Sequence, residues 1–384
     1  MKVIHADLLY TGNGVKKDVF LAFDGKFITG IRKSFAGSPE ASYPVITPAG
    51  IDPHAHIGLV RAGEPQSESE GNDQLDPFIV HADALDSVQM DDEAFRDSIE
   101  AGVLYSCVVP GSGNIIGGKS AVIRNYGSTS TSAFIQGAGI KAAVGYNPMS
   151  TSVRGWKGTR PSTRMGTFAL LRAKLHDTKE KVKLKKDPPD PVSADEHILR
   201  QLLKGQERLR VHVHKIDDIA TLLRLVDEFK LKITVEHACD VHDPGIYQEL
   251  KKRNIPVVYG PLDALAYKVE LKHENWRNVR HLLDSGVTFG LMTDHPVILQ
   301  RTLLLTLRWF LRCGMSKQEA IEVITRQNAK VLGVDKMLGT LEKGKWASFV
   351  CWNGDPFDIS NFATAAYGEG ISLFTDDSPH VVAQ

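Results

Sequence analysis

The run Leu209-Arg210-Val211-His212-Val213-His214, followed by Lys232-Ile233-Thr234-Val235-Glu236-His237, decides the fold. Each is a short segment rich in β-branched residues, of strand length rather than helix length. Between them Ile219, Leu222, Leu223, Val226 and Phe229 recur at helical spacing. Asp217-Asp218 stands where the exposed amides of a helix N-terminus favour negative charge. Strand, helix and strand succeed one another in roughly 22 residues, enough for one compact βα unit. Such units, repeated, build a parallel sheet covered by helices.

Working outward, the same rhythm predicts a helix over residues 246–252, a strand over 255–259, a helix over 276–285 and a strand over 287–293. Earlier, residues 103–109 and 139–145 read as strands, while 79–86 has no clear element. Both chain ends have a different texture. Residues 3–10, 19–23 and 27–31 are short apolar or alternating runs separated by Thr11-Gly12-Asn13-Gly14 and Asp24-Gly25, which are turn signals. After a helix over 317–332 and a turn-rich link, residues 347–352 return to strand. The architecture expected is α/β, a (β/α)₈ TIM barrel over 50–332 with a small β-sandwich domain built from both termini, 1–49 and 333–384. The Lys-rich stretch 174–195, with Lys186-Asp187-Pro188-Pro189-Asp190-Pro191, reads as a solvated helix end and a stiff surface loop.

Composition narrows the function. The 384 residues carry 46 Lys+Arg against 46 Asp+Glu, so no global field grips nucleic acid or anionic lipid. No apolar run approaches the roughly 18 residues of a membrane helix, and residues 1–12 lack a signal-peptide layout, so a cytoplasmic address is expected. The 4 Cys are scattered without a CxxC, which indicates neither a disulfide framework nor a thiolate zinc site. There are 14 His, and their positions matter more than their number.

The sharpest of those positions is Gly50-Ile51-Asp52-Pro53-His54-Ala55-His56-Ile57-Gly58. On a strand, His54 and His56 project to one face, the start of a divalent-metal site at the strand's C-terminal end. His212 and His214 end one later strand, His237 the next, and Asp294-His295 another. In a closed barrel all strand C-termini meet on one rim, so these side chains can converge. Imidazole nitrogen with carboxylate oxygen suits zinc.

The order HxH, Lys, His, His, Asp along a barrel resembles the metal-dependent amidohydrolase superfamily. So do Ala6-Asp7-Leu8-Leu9-Tyr10-Thr11-Gly12 and Gly339-Thr340-Leu341-Glu342-Lys343-Gly344-Lys345, near the ends of the chain. Within it, the chain looks most like the imidazolonepropionase-like and prolidase-like branch. The resemblance implies one or two divalent ions, zinc first, held by His54, His56, His212, His237 and Asp294. Of the pair 212 and 214 it favours His212, which stands seven residues before Ile219 as the ligand does in relatives. It places Lys141 where binuclear members carry a carboxylated Lys bridging both metals. One departure stands out: relatives read Gly-Glu-Asn-Pro-Lys, and this chain has Gly145-Tyr146-Asn147-Pro148-Met149.

The chemistry implied is hydrolysis of an amide or cyclic amide C–N bond. A divalent ion brings the pKa of water from about 15.7 down towards 7. Asp294 would take the water's proton and pass it to the leaving nitrogen, with His237 as its catalytic neighbour. His214, Tyr259 and His295 are rim residues placed to meet the substrate, and Arg160 or Arg164 to hold an anionic group on it. The expected partner is a small-molecule substrate, with homo-oligomers common among such barrels. Two other readings remain: a non-catalytic scaffold of the same fold, or a lactonase, phosphoesterase or dipeptidase using the same metal site.

Overall fold

The computed structural model describes residues 1–150, 160–184 and 193–376; the Pro-rich run 186–191 lies outside them. Fifteen strands form two sheets among these residues. Near the N-terminus come β1 (Lys2–Tyr10), β2 (Val15–Asp24), β3 (Phe27–Arg32) and β4 (Ala41–Pro48). The second sheet holds β5 (Gly50–Ala55), β6 (Val103–Val108), β7 (Ile116–Arg124), β8 (Phe134–Ala143), β9 (Leu209–Val213), β10 (Ile233–His237), β11 (Val257–Tyr259) and β12 (Phe289–Leu291). Last come β13 (Phe349–Trp352), β14 (Ala363–Gly368) and β15 (Ile371–Thr375).

The chain ends share one seven-stranded sheet, in the order β15-β14-β13-β4-β1-β2-β3. It curls over its own core of Ile4, Leu21, Phe23, Phe349 and Cys351, and a bridge between Phe27 and Trp346 joins the β3 edge to the chain before β13. The sandwich expected from both termini therefore takes the form of a single folded-over sheet.

The other eight strands run in sequence order around a barrel, β5 to β12. Outside them Leu171, Leu199, Leu222, Leu250, Leu282 and Phe310 seal the helices onto the strands in one apolar layer. One strand departs from the (β/α)₈ pattern. β7 is antiparallel to both β6 and β8. The cause is connection length: seven residues separate β6 from β7, too few for the crossover that parallel pairing needs. The Gly-rich run 109–118 is loop only as far as Ile115; Ile116 opens β7.

Closure of the barrel between β12 and β5 relies on a side chain. Asn328, fully buried, donates from Nδ2 to the carbonyls of Ile51 (2.7 Å) and Leu291 (2.8 Å), while its Oδ1 accepts the Leu291 N–H at 2.9 Å. It follows a π-helical turn, Val323–Gln327, in the midst of the helix read from sequence as continuous. Gly290 makes room for it: a Cβ there would lie 2.3 Å from Asn328 Oδ1. Beyond the strands, Asp294 N–H donates to His54 O (3.1 Å) and His56 N–H to His295 O (2.8 Å).

Asn328→Ala removes all three seam bonds in a site that water does not reach. The expected loss is about 3 kcal/mol of stability, read as a lower urea midpoint with little change in slope. Retention of the parent's midpoint would show that the seam does not depend on this side chain.

Candidate metal centre

Five strand ends deliver the site. His54 and His56 follow the strand alternation and face one space, with ring centroids 5.5 Å apart. Their Nε2 atoms lie 3.3 and 3.2 Å from the same oxygen, Asp294 Oδ1. Alternation alone would set His237 opposite Glu236, its strand neighbour. The backbone overrides it: His237 has φ +79° and Ala238 φ +56°, and Asp294 has φ +53°. Left-handed backbone at non-glycine residues costs about 1–3 kcal/mol each and persists where the surroundings over-determine it. Here it brings the His237 ring 5.1 Å from His54 and 4.1 Å from His212. His214 lies 4.8 Å from His212 and 4.6 Å from His237.

Hydrogen bonds behind these rings fix their tautomers. His54 Nδ1 meets Glu236 Oε2 at 2.8 Å, His56 Nδ1 meets Val109 O at 2.8 Å, and His237 Nδ1 meets Gly260 O at 3.0 Å. Each acceptor demands a proton on Nδ1, which leaves Nε2 as a lone pair turned to the common space. Glu236 is itself held by Arg210 (3.0 Å) and Thr234, all three inside the barrel and out of water. Burial alone would raise the Glu236 carboxyl, but Arg210 and His54 hold it at about 2.

Whether these residues suit a cation can be judged from their unmet valences. His212 Nδ1, His214 Nδ1 and His237 Nε2 are buried without a hydrogen-bond partner among the described residues. One ligand atom from each of His212, His214 and His237 lies within 4.8 Å of the others, and the same holds for His54, His237 and Asp294. Buried lone pairs with nothing to accept are costly unless a cation takes them, and neutral imidazole with carboxylate is a divalent-metal donor set. The residues fit the group. Lys141 stands beside them, fully buried, with Nζ 3.3 Å from His54 Nε2, 3.2 Å from Pro110 O and 3.0 Å from Ser112 Oγ. Burial pushes it down to about 8.

Other residues singled out from sequence lie elsewhere. Tyr259 points from β11 into the apolar layer, 6.5 Å from the Phe310 ring, and its hydroxyl finds no partner among the described residues. His295 is buried, its Nδ1 accepting the Gln300 N–H at 3.2 Å. Arg160 donates to Gly113 O at 2.6 Å and to Asp73 O, bracing the loop before β7. Arg164 pairs with Asp218 at 2.8 Å. Of the substrate-facing set, His214 lines a cavity over the site among the described residues, beside Tyr267, Lys268 and Asp294. Glu236, Arg210 and Glu270 were missed; for the first two, a charged residue alternating with His on an otherwise apolar strand was the available signal.

The imidazoles carry a pH dependence. Burial lowers His54, lowers His214 and His295 to about 4, and with neighbouring groups holds His212 and His237 well below the ordinary range. The unfolded chain protonates such groups near pH 6.5. Their contribution to stability is therefore complete above about pH 6.5 and is lost as pH falls towards 4. Asp52, raised by burial to about 6, acts in the opposite direction, as do Asp218 and Glu274, both raised by burial, three carboxyls against five imidazoles. Metal-free protein should lose stability between pH 7 and 5, on the order of 2 kcal/mol from His214 alone. Urea unfolding across that range measures it, and a flat profile would contradict the assignment.

The chain is similar to known proteins. A model of the amidohydrolase family matches residues 132–379. Amidohydrolase tasK of Hapsidospora irregularis is 25% identical over 368 residues, covering 87% of this chain and 37% of that protein. The imidazolonepropionase of Shewanella frigidimarina (strain NCIMB 400) is 27% identical over 153 residues, 39% of this chain and 32% of that one. The chain thus spans about a third of the length of these curated relatives. The crystal structure of an amidohydrolase from Thermotoga maritima MSB8 superposes with a TM-score of 0.91 at 28% identity, covering 98% of this chain and 100% of that one. With the match extending over well over half of its length, and with the barrel and its His-rich rim in place, the chain belongs to the amidohydrolase family.

Proposed function

We propose that this protein is a metal-dependent hydrolase that cleaves an amide or cyclic amide C–N bond of a small molecule. The observation that carries the reading is the convergence of imidazole lone pairs from His54, His56, His212 and His237 on the space beside Asp294, with His212 Nδ1 and His237 Nε2 unpartnered. These residues would hold one or two divalent cations, zinc first. A cation there supplies Lewis acidity, lowering the pKa of water towards 7.

The protein groups do the rest. Burial opposes ionisation of Asp294, yet His237 and the neighbouring rings of His54 and His56 hold its carboxyl well below the usual range. It is thus a carboxylate at neutral pH, able to take a proton from attacking water and deliver it to the leaving nitrogen. His214 lines the cavity and meets the substrate carbonyl. On the order of a tenth of Lys141 is free amine at pH 7, given its depressed pKa, which is the form that reacts with carbon dioxide to give a carbamate. Such a carbamate would offer oxygens to two cations.

The test is metal analysis of protein purified without chelator, then a hydrolysis screen of metal-loaded protein. N-acyl amino acids, Xaa-Pro dipeptides, cyclic imides and lactones cover the bonds at issue. Asp294→Asn should lower turnover at least about 100-fold. Activity equal to the parent's would remove Asp294 as the base, and activity on lactones alone would move the reaction to C–O bonds. Protein that holds no stoichiometric metal, and gains none from added zinc, would overturn the reading.

A further inference from the structure

We propose that Glu270 is a positioning residue of the metal centre: it accepts the Nε2 proton of His212 and so leaves His212 Nδ1 as the lone pair offered to a cation. The inference rests on the metal-dependent reading above and adds to it a carboxylate outside the barrel strands.

Glu270 sits on a single 3₁₀ turn, Val269–Leu271, in the long connection between β11 and β12. The sequence around it, Lys268-Val269-Glu270-Leu271-Lys272, reads as a solvated surface turn, yet Glu270 is only 2% exposed. The connection is pinned on its far side, where Asp240 accepts the His273 N–H at 2.5 Å and Asn278 Nδ2 donates to His273 O at 2.9 Å. Glu270 is thereby carried down onto the ends of β8 and β9.

Its contacts define its role. Oε2 accepts the Tyr146 N–H at 3.0 Å, and Oε1 lies 3.3 Å from His212 Nε2, 3.7 Å from Lys268 Nζ and 3.9 Å from His214 Nε2. A carboxylate offers only acceptors, so the proton between Glu270 and His212 belongs to the imidazole Nε2. A neutral imidazole has one N–H, so Nδ1 is then a bare lone pair. That atom is buried and without a partner among the described residues. His54, His56 and His237 obey the same rule with the nitrogens exchanged, each giving its Nδ1 proton to an acceptor from the barrel itself. His212 differs in that its acceptor comes from a loop. The backbone beneath is shaped to admit it: Gly145 has φ +83°, and a Cβ there would lie 3.0 Å from Glu270 Oε2.

The test compares Glu270→Ala, Glu270→Gln and Glu270→Asp with the parent, with Lys272→Ala as an exposed control on the same loop. Two measurements are made on metal-free protein shown by circular dichroism to be folded. Long-range ¹H–¹⁵N correlation of ¹⁵N-histidine protein reads the His212 tautomer, and titration with Zn²⁺ against a competing chelator reads affinity. We expect the Nε2–H tautomer in the parent and its loss in Glu270→Ala. The same variant should bind Zn²⁺ about 10- to 100-fold more weakly, the range for removing a partner that orients a ligand. Glu270→Gln should fall between, and Glu270→Asp should restore part of both signals. A parent with Nδ1–H at His212, or a Glu270→Ala variant that binds Zn²⁺ within twofold of the parent, would overturn the proposal. A parent that binds no Zn²⁺ would fail the metal-dependent reading itself, which separates the two.

Discussion

Two backbone hydrogen bonds across the barrel seam hold fold and site together: Asp294 N–H to His54 O, and His56 N–H to His295 O. They join segments about 240 residues apart in the chain, and they do so at the very residues whose side chains meet. With them in place, Asp294 Oδ1 lies between His54 and His56. Asn328 secures the same seam one level lower, spanning from Ile51 to Leu291 where the strands themselves form no continuous ladder. Closing the barrel and assembling the rim are therefore one event. An error of one residue in register there would turn His54 and His56 to the wrong face.

Such a site opposes the stability of its own fold. It buries Lys141, Glu236, Arg210, Asp52 and several imidazoles, and it keeps left-handed backbone at His237, Ala238 and Asp294. The compensation is local and paired. Arg210 faces Glu236, Glu236 faces His54, and Thr293 and Gln300 donate to Asp52. Among the groups left without a partner are three imidazole nitrogens on the rim, those of His212, His214 and His237, which a cation would satisfy.

Much of the arrangement was legible in the chain. Periodicity located β9, β10 and the helix Ile216–Phe229 to within a residue or two, since a parallel strand buried on both faces has a simple apolar signature. Spacing two apart placed His54 and His56 on one face because strand geometry leaves no choice. The reversed strand β7 was missed because a Gly-rich run resembles a loop whichever way the following strand travels. Tyr259, His295, Arg160 and Arg164 share strand ends or rim loops with the site, yet packing turns them to Phe310, Gln300, Gly113 and Asp218. Position along a strand specifies the neighbourhood of a side chain, and only packing specifies its direction.

The amino-acid sequence by itself determined the βα rhythm, the strand ends that bear the candidate ligands, and the donor chemistry of His54, His56, His212, His237 and Asp294. Those properties are local, written in side-chain type and in spacings of two to about 22 residues. Tertiary structure alone decided that His237 turns inward against the strand alternation, that Asn328 bridges the seam, and that Glu270 reaches His212 from a charged loop. Each of those depends on contacts between segments distant in the chain. The physical reason is desolvation: whether a Lys, Glu or His is a solvated surface group or a buried member of the site depends on what packs over it, and that is set only when the barrel closes.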